Sequence, residues 1–347
     1  MEQSKTTGLS SLGEFGLIEH IAENVSLKHK QTIKGIGDDA AVIDTSGQQT
    51  VVTTDLLLEG IHFDLTYTPL KHLGYKAVVV NLSDVYAMNA EPRQITVSLG
   101  LSSKMSLEAV EELYAGILLA CETYHVDLVG GDTSTSLTGL TICITAIGAV
   151  SPNKVVYRST AKPNDLICVS GDLGGAFMGL QLLEREKKVF GNTSAMQPDL
   201  AGYDYILERF LKPEARKDII SFLSKIGVVP TSMIDISDGL SSEILHICRQ
   251  SDTGCRLYEE KVPVDHVTAM MAEELHIDPI TAALNGGEDY ELLFTISLAD
   301  YEKFQGHPDV KIYAIGHVTE KSKGCAMITK SGAEATLKAQ GWANFGK

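Results

Sequence analysis

The sequence predicts an α/β to α+β protein of two domains. Its 347 residues exceed the usual size of one domain, and each half is long enough to bury a core of its own. Strand-like and helix-like segments alternate up to Val150, and residues 151–165, which contain two prolines and little periodicity, follow them. We therefore expect a first domain at residues 1–150 and a second at residues 151–347.

The elements of the first half can be predicted in chain order. Residues 31–44 and 49–60 are rich in β-branched side chains and predict two strands, separated by the turn-forming sequence TSGQ. Thr68 is expected to cap a helix that has Pro69 in its first turn and ends near Ala90. A strand (QITVSLGL), a helix (SLEAVEELYAGILLACETYH) and two strands (VDLVG and LTICITAIGAV) follow.

The second half twice shows a strand, a glycine-containing turn and a helix. These sequences are DLICVSGDLGGAFMGLQLLE and MIDISDGLSSEILHICRQ. Helical stretches are predicted near residues 199–211 and 214–226, and strands at YELLFTISL and KIYAIGHVT. The second domain is therefore expected to pack helices on a sheet as well.

Composition excludes several classes of protein. The 29 basic and 45 acidic side chains give a net charge of −16, which repels a nucleic-acid backbone, and no basic patch offsets it. The N-terminus lacks a basic-then-apolar signal, and no apolar run approaches the ~18 residues that span a bilayer. The six cysteines have irregular spacing without Cys-x-x-Cys, which favours buried, reduced thiols. We expect a cytoplasmic protein that binds neither nucleic acid nor membrane.

Acidic residues recur where apolar runs are interrupted or end. They stand in GIGDDAAVID, VVTTDLLLEGIHF, VVVNLSDVYAM, DLVGGDTSTS, MIDISDGLSS and NGGEDYELLF. One face of the first predicted helix carries Leu73, Ala77, Val80, Asp84 and Met88. Asp84 thus occupies a position that the pattern reserves for the core, where an unpaired carboxylate is strongly unfavourable.

Two interpretations of these acidic residues are open. Any single aspartate is more often paired with a buried arginine or with backbone amides than with a metal. The set as a whole favours hard divalent cations such as Mg²⁺, since few basic residues lie nearby and Thr53 and Thr54 can add oxygens. Its members are Asp38, Asp39, Asp55, Asp84, Asp132, Asp235 and Asp238.

The sequence lacks the usual glycine-rich phosphate loops. No Gly-x4-Gly-Lys-Ser/Thr occurs, and no kinase-type glycine loop precedes a strand with a pairing lysine. GDLGGA at residues 171–176 opens a helix, but such turns are usually plain tight turns. A polyphosphate site without a phosphate-loop lysine needs metals to neutralise the charge, which agrees with the surplus of carboxylates.

Six segments occur in an order and spacing that resemble the thiamine-monophosphate kinase family, of the aminoimidazole ribonucleotide synthetase superfamily. They are GIGDDAAV, TTDLLLEGIHF, KAVVVNLSDVYAMNA, GGDTS, IDISDGL and GGEDYELLF, and the resemblance runs from about Gly13 to Trp342. It implies ATP-dependent phosphorylation of thiamine monophosphate to thiamine diphosphate, with several magnesium ions and often potassium. It also implies a homodimer whose N-terminal domains pack sheet against sheet, and a C-terminal α+β sandwich.

The resemblance further implies which residues form the site. Its magnesium ligands match Asp39, Thr53, Thr54, Asp55, Asp84, Asp132, Asp235 and Asp238, with Asp38 in support. Its nucleotide contacts match Tyr114, Gly131, Asp132, Arg158 and Ser237, and its thiamine-substrate contacts match His62, Glu288 and Trp342. Structural roles stay open for several of them: a salt bridge between domains for Arg158, helix capping for Ser237 and Asp238, a strand-start pair for Glu288 and packing for Trp342.

The expected reaction needs no catalytic side chain as base or nucleophile. The acceptor is a phosphate monoester with a second pKa near 6, so it is already largely dianionic at neutral pH. The obstacle is repulsion between two anionic phosphates, which metal ions relieve during a direct in-line transfer. A phosphorylated His62 is the rival mechanism. Two rival functions are a superfamily enzyme with another acceptor and a non-catalytic metal-binding scaffold.

Overall fold

Two mixed β-sheets with flanking helices form the fold. The computed structural model describes residues 29–45, 47–190, 200–304, 307 and 310–340. Within those ranges, the first sheet has six strands from the N-terminal part of the chain, and the second has seven strands from the C-terminal part. The expected N-terminal mixed sheet with flanking helices is therefore confirmed, and helices also flank a mixed sheet in the second half.

The first sheet takes all its strands from residues 32–150. They are β1 (Thr32–Lys34), β2 (Ala41–Asp44), β3 (Gln49–Leu58), β4 (Glu91–Ser102), β5 (Asp127–Ser136) and β6 (Thr141–Val150). Their spatial order is β1-β2-β3-β6-β4-β5, and neighbours are antiparallel except for β4 and β5. Buried and partly exposed residues alternate along β6, so one face of the sheet covers a core and the other stays open.

Two strand predictions for this sheet need correction. The strand predicted at residues 31–44 is two strands, because the residues between β1 and β2 form a series of bends. The strand predicted at VDLVG continues through GGDTSTS to Ser136. The segment pairs in parallel with β4 as far as Ser136. Because of this pairing it forms a strand, although its glycines predict a turn.

Two long helices pack on the first sheet. They are α1 (Leu70–Ala87) and α2 (Leu107–Tyr124), and Ser106 caps α2 by accepting the Ala109 N–H. The predicted cap of α1 is wrong: Pro69 holds that position, and the Thr68 hydroxyl is buried without a hydrogen-bond partner among the described residues. Instead of one buried face, α1 is buried on nearly every side, since it lies between the first sheet, α2 and the second half of the chain.

The second sheet mixes long and short strands. They are β7 (Leu166–Ser170), β8 (Ser232–Asp235), β9 (Thr253–Tyr258), β10 (Leu292–Ile296), β11 (Ile312–Glu320), β12 (Cys325–Ile328) and β13 (Glu334–Thr336). The spatial order is β13-β12-β9-β11-β7-β10-β8, and β9 and β12 are its parallel pair. The strands predicted at YELLFTISL and KIYAIGHVT correspond to β10 and β11, whereas β9, β12 and β13 were not predicted.

The helices of the second half surround this sheet. They are α3 (Gly175–Phe190), α4 (Asp204–Leu211), α5 (Lys217–Lys225), α6 (Leu240–Ser251), α7 (His266–Glu274), α8 (Pro279–Asn285) and α9 (Leu298–Glu302). The helices expected near residues 199–211 and 214–226 correspond to α4 and α5. Across the described ranges, no helix combines the length and apolarity that a membrane crossing demands.

Polar contacts fix the second half of the chain against α1 and α2. The hydroxyls of Tyr75 and Tyr124 donate to Glu214 at 2.9 and 2.5 Å. The Lys76 Nζ lies 2.7 Å from an oxygen of Glu288 and is buried. Because these contacts come from buried helix faces, α1 is packed between the two sheets. We call this helix the shared wall.

Candidate metal centre

Three carboxylates from three different elements meet beside this wall. Asp39 lies in the bends before β2, Asp84 in the last turns of α1, and Asp235 at the end of β8. One carboxylate oxygen from each lies within 4.8 Å of the other two. We call this set the aspartate cluster. It draws on both halves of the chain, so the fold itself assembles it.

Hydrogen bonds orient two of these carboxylates. The Thr53 hydroxyl donates to Asp84 Oδ2 at 2.7 Å, and the Ser83 hydroxyl donates to Asp235 Oδ2 at 2.6 Å. Thr53 comes from β3 and Ser83 from α1, so neighbouring elements hold each acid in place. Asp84 and Asp235 each retain a second oxygen that can bind a ligand in the cluster.

Arg158 supplies positive charge to the cluster. Its Nε and Nη2 donate to the two oxygens of Asp39 at 2.7 and 2.6 Å, in the forked geometry that guanidinium and carboxylate groups form. Its Nε also lies 3.8 Å from Asp38. One guanidinium therefore faces a group of three or more carboxylates, and negative charge remains in excess.

The pKa values of the carboxylates show the consequence of that excess. Burial, and next the charge of Asp39, raises the pKa of Asp235 to about 8. Burial, followed by the charges of Asp55 and Asp235, raises the pKa of Asp84 well above its usual value. Burial also raises the pKa of Asp55 to about 6. A cation placed among these oxygens would reverse each shift, because it favours the ionised form.

The donor atoms fit a hard divalent cation. Every donor of the cluster is an oxygen, which suits Mg²⁺ and disfavours soft ions. Oxygens bound to one Mg²⁺ at about 2.1 Å lie about 3 to 4.2 Å apart. The observed separations of up to 4.8 Å therefore need only small side-chain movements to close around one ion.

Asp38 and Asp55 border the cluster. Burial, followed by the charge of Asp39, raises the pKa of Asp38 to about 6, and Lys34 Nζ lies 3.5 Å from its Oδ2. The Asp55 N–H donates to Asn81 Oδ1 at 3.0 Å, so an amide on α1 fixes the backbone beside this acid. Asn81 was not predicted from the sequence, because it is one polar residue within an apolar helix.

Asp238 contacts a second acidic residue, Glu243, which was not predicted from the sequence. Its N–H donates to Glu243 Oε1 at 2.9 Å, in the turn before and the first turn of α6. Glu243 is 2% exposed, and its Oε2 has no hydrogen-bond partner among the described residues. Burial, and next the charge of Asp238, raises the pKa of Glu243 well above its usual value. An acidic residue in the first turn of a helix is normally explained by its favourable interaction with the helix dipole. Glu243 therefore did not stand out in the sequence as a site residue.

Thr54 points away from the aspartate cluster. Successive side chains of a strand lie on opposite faces, so Thr54 faces away from its neighbour Thr53. Its hydroxyl donates to the Ile144 carbonyl at 3.0 Å on the open side of the sheet.

Within one chain, Asp132 also lies apart from the aspartate cluster. It is exposed on β5, and its cross-strand row runs through Ser98 and Cys143 to Leu56, which is 51% exposed. Residues of one row share a face, so Asp132 lies on the open face of the sheet. Three strand spacings of about 4.8 Å separate β5 from β3.

Gly131 and Tyr114 have clear packing roles. A Cβ at position 131 would lie 1.8 Å from the Val97 carbonyl oxygen, so the approach of β5 to β4 requires glycine there. Tyr114 lies on α2, partly buried against the core of the first sheet.

His62 and Glu288 lie in backbone turns with fixed partners. The Leu58 N–H donates to His62 Nδ1 at 3.0 Å, so the neutral imidazole carries its proton on Nε2. Glu288 pairs with the buried Lys76, and its backbone adopts a left-handed φ of 59°. The third residue expected to contact the substrate, Trp342, lies outside the described residues.

The segment around Glu288 is tightly packed against the turn after β8. The Glu288 N–H donates to the carbonyl of the exposed Ser237 at 2.7 Å. Gly287 has a φ of 73°, and a Cβ there would lie 2.4 Å from the same carbonyl oxygen. Tyr290 also has a positive φ of 51°. Such left-handed backbone in non-glycine residues is characteristic of binding sites whose surroundings hold it in place.

Comparison with known proteins gives consistent matches over most of the chain. Residues 37–150 match the family model AIR synthase related protein, N-terminal domain. The thiamine-monophosphate kinase of Bacillus subtilis is 32% identical over 338 residues, covering 96% of this chain and all of the relative. That of Aquifex aeolicus is 34% identical and covers 97% of this chain and 99% of the relative.

A solved structure agrees with these sequence matches. The structure described as AaThiL complexed with AMPPCP and TMP superposes with a TM-score of 0.83 at 33% identity. The match covers 98% of this chain and 100% of that chain. The agreement therefore extends over both sheets and over the wall that carries the aspartate cluster.

Proposed function

The chain belongs to the thiamine-monophosphate kinase family, and on that premise we propose that the aspartate cluster holds the magnesium used in its phosphoryl transfer. The protein is a thiamine-phosphate kinase that phosphorylates thiamine monophosphate with ATP as co-substrate. One observation carries the proposal: carboxylate oxygens of Asp39, Asp84 and Asp235 lie within 4.8 Å of one another.

Several magnesium ions are proposed rather than one. The charge of Asp55 acts on Asp84, and the charges of Asp238 and Asp235 both act on Glu243, so we propose that Asp55 and Asp238 extend the cluster. The Thr53 hydroxyl already contacts Asp84 and can add an oxygen. Bound magnesium would neutralise charge on the donor and acceptor phosphates and hold them in line. We propose potassium as an additional ion that raises activity.

Arg158 is proposed to exchange partners when the nucleotide binds. A phosphate accepts the same two-pronged hydrogen bond that Asp39 now accepts. Release of Asp39 would free both its oxygens for a metal. Ser237, exposed in the turn after β8, is proposed as a further nucleotide contact together with Tyr114, Gly131 and Asp132.

We propose direct transfer without a phosphorylated enzyme. The dianionic acceptor phosphate is itself the nucleophile, so no side chain must remove a proton. The hydrogen bond from Leu58 leaves the proton of neutral His62 on Nε2, the nitrogen that would otherwise attack. His62 then serves as a hydrogen-bond donor to the substrate, with Glu288 and Trp342 as further substrate contacts.

The domain division and the homodimer are also proposals. We assign metal and nucleotide binding to residues 1–150 and completion of the site to residues 151–347. The open face of the first sheet supports a dimer formed sheet against sheet, because Leu56, near the end of β3, is 51% exposed on that face. Sedimentation should give the mass of two chains for the native protein and of one chain for Leu56→Asp. An unchanged mass in that variant would place the interface elsewhere, and Leu298→Asp, at an exposed leucine on α9, is the control.

Phosphorus NMR of the purified protein tests the function directly. With ATP, magnesium and thiamine monophosphate, the signals of thiamine diphosphate and ADP should grow together. Asp84→Asn should abolish both signals while the protein remains folded. Release of inorganic phosphate without thiamine diphosphate would show transfer to water in place of thiamine monophosphate, and unchanged ATP would indicate either a superfamily enzyme with another acceptor or a binding scaffold. Comparison of potassium with sodium buffers tests the proposed monovalent ion.

A further inference from the structure

A cluster of three thiols lies in the second half of the chain, outside the aspartate cluster. Cys248 on α6, Cys255 on β9 and Cys325 at the start of β12 have sulfur atoms that all lie within 4.8 Å of one another. All three are free thiols. We call this set the cysteine cluster. Nothing in the phosphoryl transfer described above uses it.

The fold brings the three cysteines together through long-range contacts. Parallel pairing of β9 with β12 places Cys255 directly beside Cys325, although 70 positions separate them in sequence. The Cys255 N–H donates to the Gly324 carbonyl at 3.1 Å and fixes this register. Cys248 reaches the pair from the last turns of α6, which packs on β9. The cluster therefore joins one helix to two strands.

The sulfur positions match the ligand geometry of a thiophilic ion. Zinc binds thiolate sulfur at about 2.3 Å, so tetrahedral ligands lie about 3.8 Å apart. Separations of at most 4.8 Å contract to that value with small side-chain rotations. Cys248 and Cys255 are buried, whereas Cys325 is partly exposed and leaves one side open to solvent. Three sulfurs with one open side supply all but one ligand of a tetrahedral ion.

The surroundings favour the thiolate form at Cys325, whereas hydrogen bonds within the cluster and burial raise the pKa of Cys248 and Cys255, so a metal ion must displace their protons. Hydrogen bonds from Cys248 and Cys255 lower the pKa of Cys325, and the nearby positive charge of Arg256 acts in the same direction. The Arg256 Nη1 donates to the carbonyls of Cys255 and Gly324 at 2.9 and 3.0 Å, so its guanidinium is fixed beside the cluster. Three thiolates around a divalent ion carry one net negative charge, which this guanidinium offsets.

We propose that Cys248, Cys255 and Cys325 bind one zinc ion, with water as the fourth ligand on the side of Cys325. The ion ties α6 to β9 and β12. Because α6 begins directly after the turn that contains Asp238, the ion stabilises the element that supports one edge of the aspartate cluster. Its role is structural, and the reaction itself does not require it to touch substrate.

Cobalt(II) is the sharpest probe of this site. Thiolate-bound cobalt absorbs in the near ultraviolet through sulfur-to-metal charge transfer, whereas carboxylate-bound cobalt does not, so the aspartate cluster adds no such signal. Titration of the full-length, metal-free, reduced protein in excess Mg²⁺ should give this band with an end point of one cobalt per chain. Zinc should then displace the cobalt and abolish the band.

Matched variants decide between a metal site and ordinary packing of small apolar thiols. Cys325→Ser is the variant with the least risk of misfolding, because the side chain is partly exposed, and it should weaken zinc binding about 100-fold or more. Cys143→Ser, at a partly exposed cysteine of the first sheet, is the control and should bind as the native protein does. Zinc should raise the melting temperature of native protein and control, but not of Cys325→Ser. A missing band, or a band that persists unchanged in Cys325→Ser, would overturn the proposal.

Discussion

Replacing Asp235 by asparagine tests whether the carboxylates of the aspartate cluster repel one another until a metal binds. Asp235 is 4% exposed and accepts the Ser83 hydroxyl at 2.6 Å. Asparagine has the same shape, and its Oδ1 can accept the same hydrogen bond, so the variant removes charge with little change in packing. We expect it to be inactive and, without metal, more stable than the native protein at neutral pH.

The magnitude follows from the pKa of Asp235. Burial, together with the charge of Asp39, raises that pKa from 3.8 to about 8, so the folded state prefers the protonated acid. The contribution of Asp235 to the stability of the metal-free native protein is therefore fully present below pH 3.8. That contribution is lost as the pH rises from about 4 to about 8. At pH 7 the loss has an upper limit of about 4 kcal/mol, which the asparagine variant avoids.

Urea unfolding in the presence of a chelator measures this effect. Native protein and Asp235→Asn should differ little near pH 4 and most near pH 8, where the variant should unfold at higher urea. Saturating Mg²⁺ should stabilise the native protein more than the variant, because only the native protein retains all three carboxylates. Asp252→Asn, at an exposed acid, is the control and should stay within about 0.5 kcal/mol of native at every pH. A variant less stable than native at pH 8 without metal, or one that keeps full activity, would refute the reasoning.

Three further substitutions test neighbouring parts of the site. Lys76→Met leaves Glu288 without its buried partner, and steady-state kinetics should show KM for thiamine monophosphate rising roughly 10-fold, by about 1.4 kcal/mol, with KM for ATP little changed. Gly287→Ala forces a Cβ against the Ser237 carbonyl at a φ of 73°, and thermal unfolding should show a loss of about 2–4 kcal/mol; a loss below about 0.5 kcal/mol would contradict the close approach. Glu243→Gln removes a buried charge and should raise metal-free stability near pH 8 by about 1–3 kcal/mol in urea unfolding, and a lower stability would show that the hydrogen bond from the Asp238 N–H outweighs the cost of burying the carboxylate.

Local sequence patterns predicted the regular elements well where hydrophobic periodicity was strong. The helices α2 and α6 and the strands β10 and β11 lie where the pattern placed them. Errors arose where a distant partner decides the local conformation. Pairing with β4 converts the glycine-containing GGDTSTS into the end of β5. The strands β9, β12 and β13 were missed because pairing, rather than a local pattern, makes them strands: β9 and β12 pair with segments distant in the chain, and β13 pairs with β12.

The sequence by itself determined the chemistry of this protein, because residue identity is written there: a surplus of carboxylates at strand ends, the absence of a phosphate-loop lysine, and the six ordered segments that marked the family. Only the tertiary structure decided which oxygens share a site. Asp39, Asp84 and Asp235 meet because α1 stands between the two sheets, whereas Asp132 takes the open face because the pleat and register of β5 put it there. Glu243 and the cysteine cluster likewise gained significance only from burial and proximity, and these depend on contacts between residues far apart in the chain.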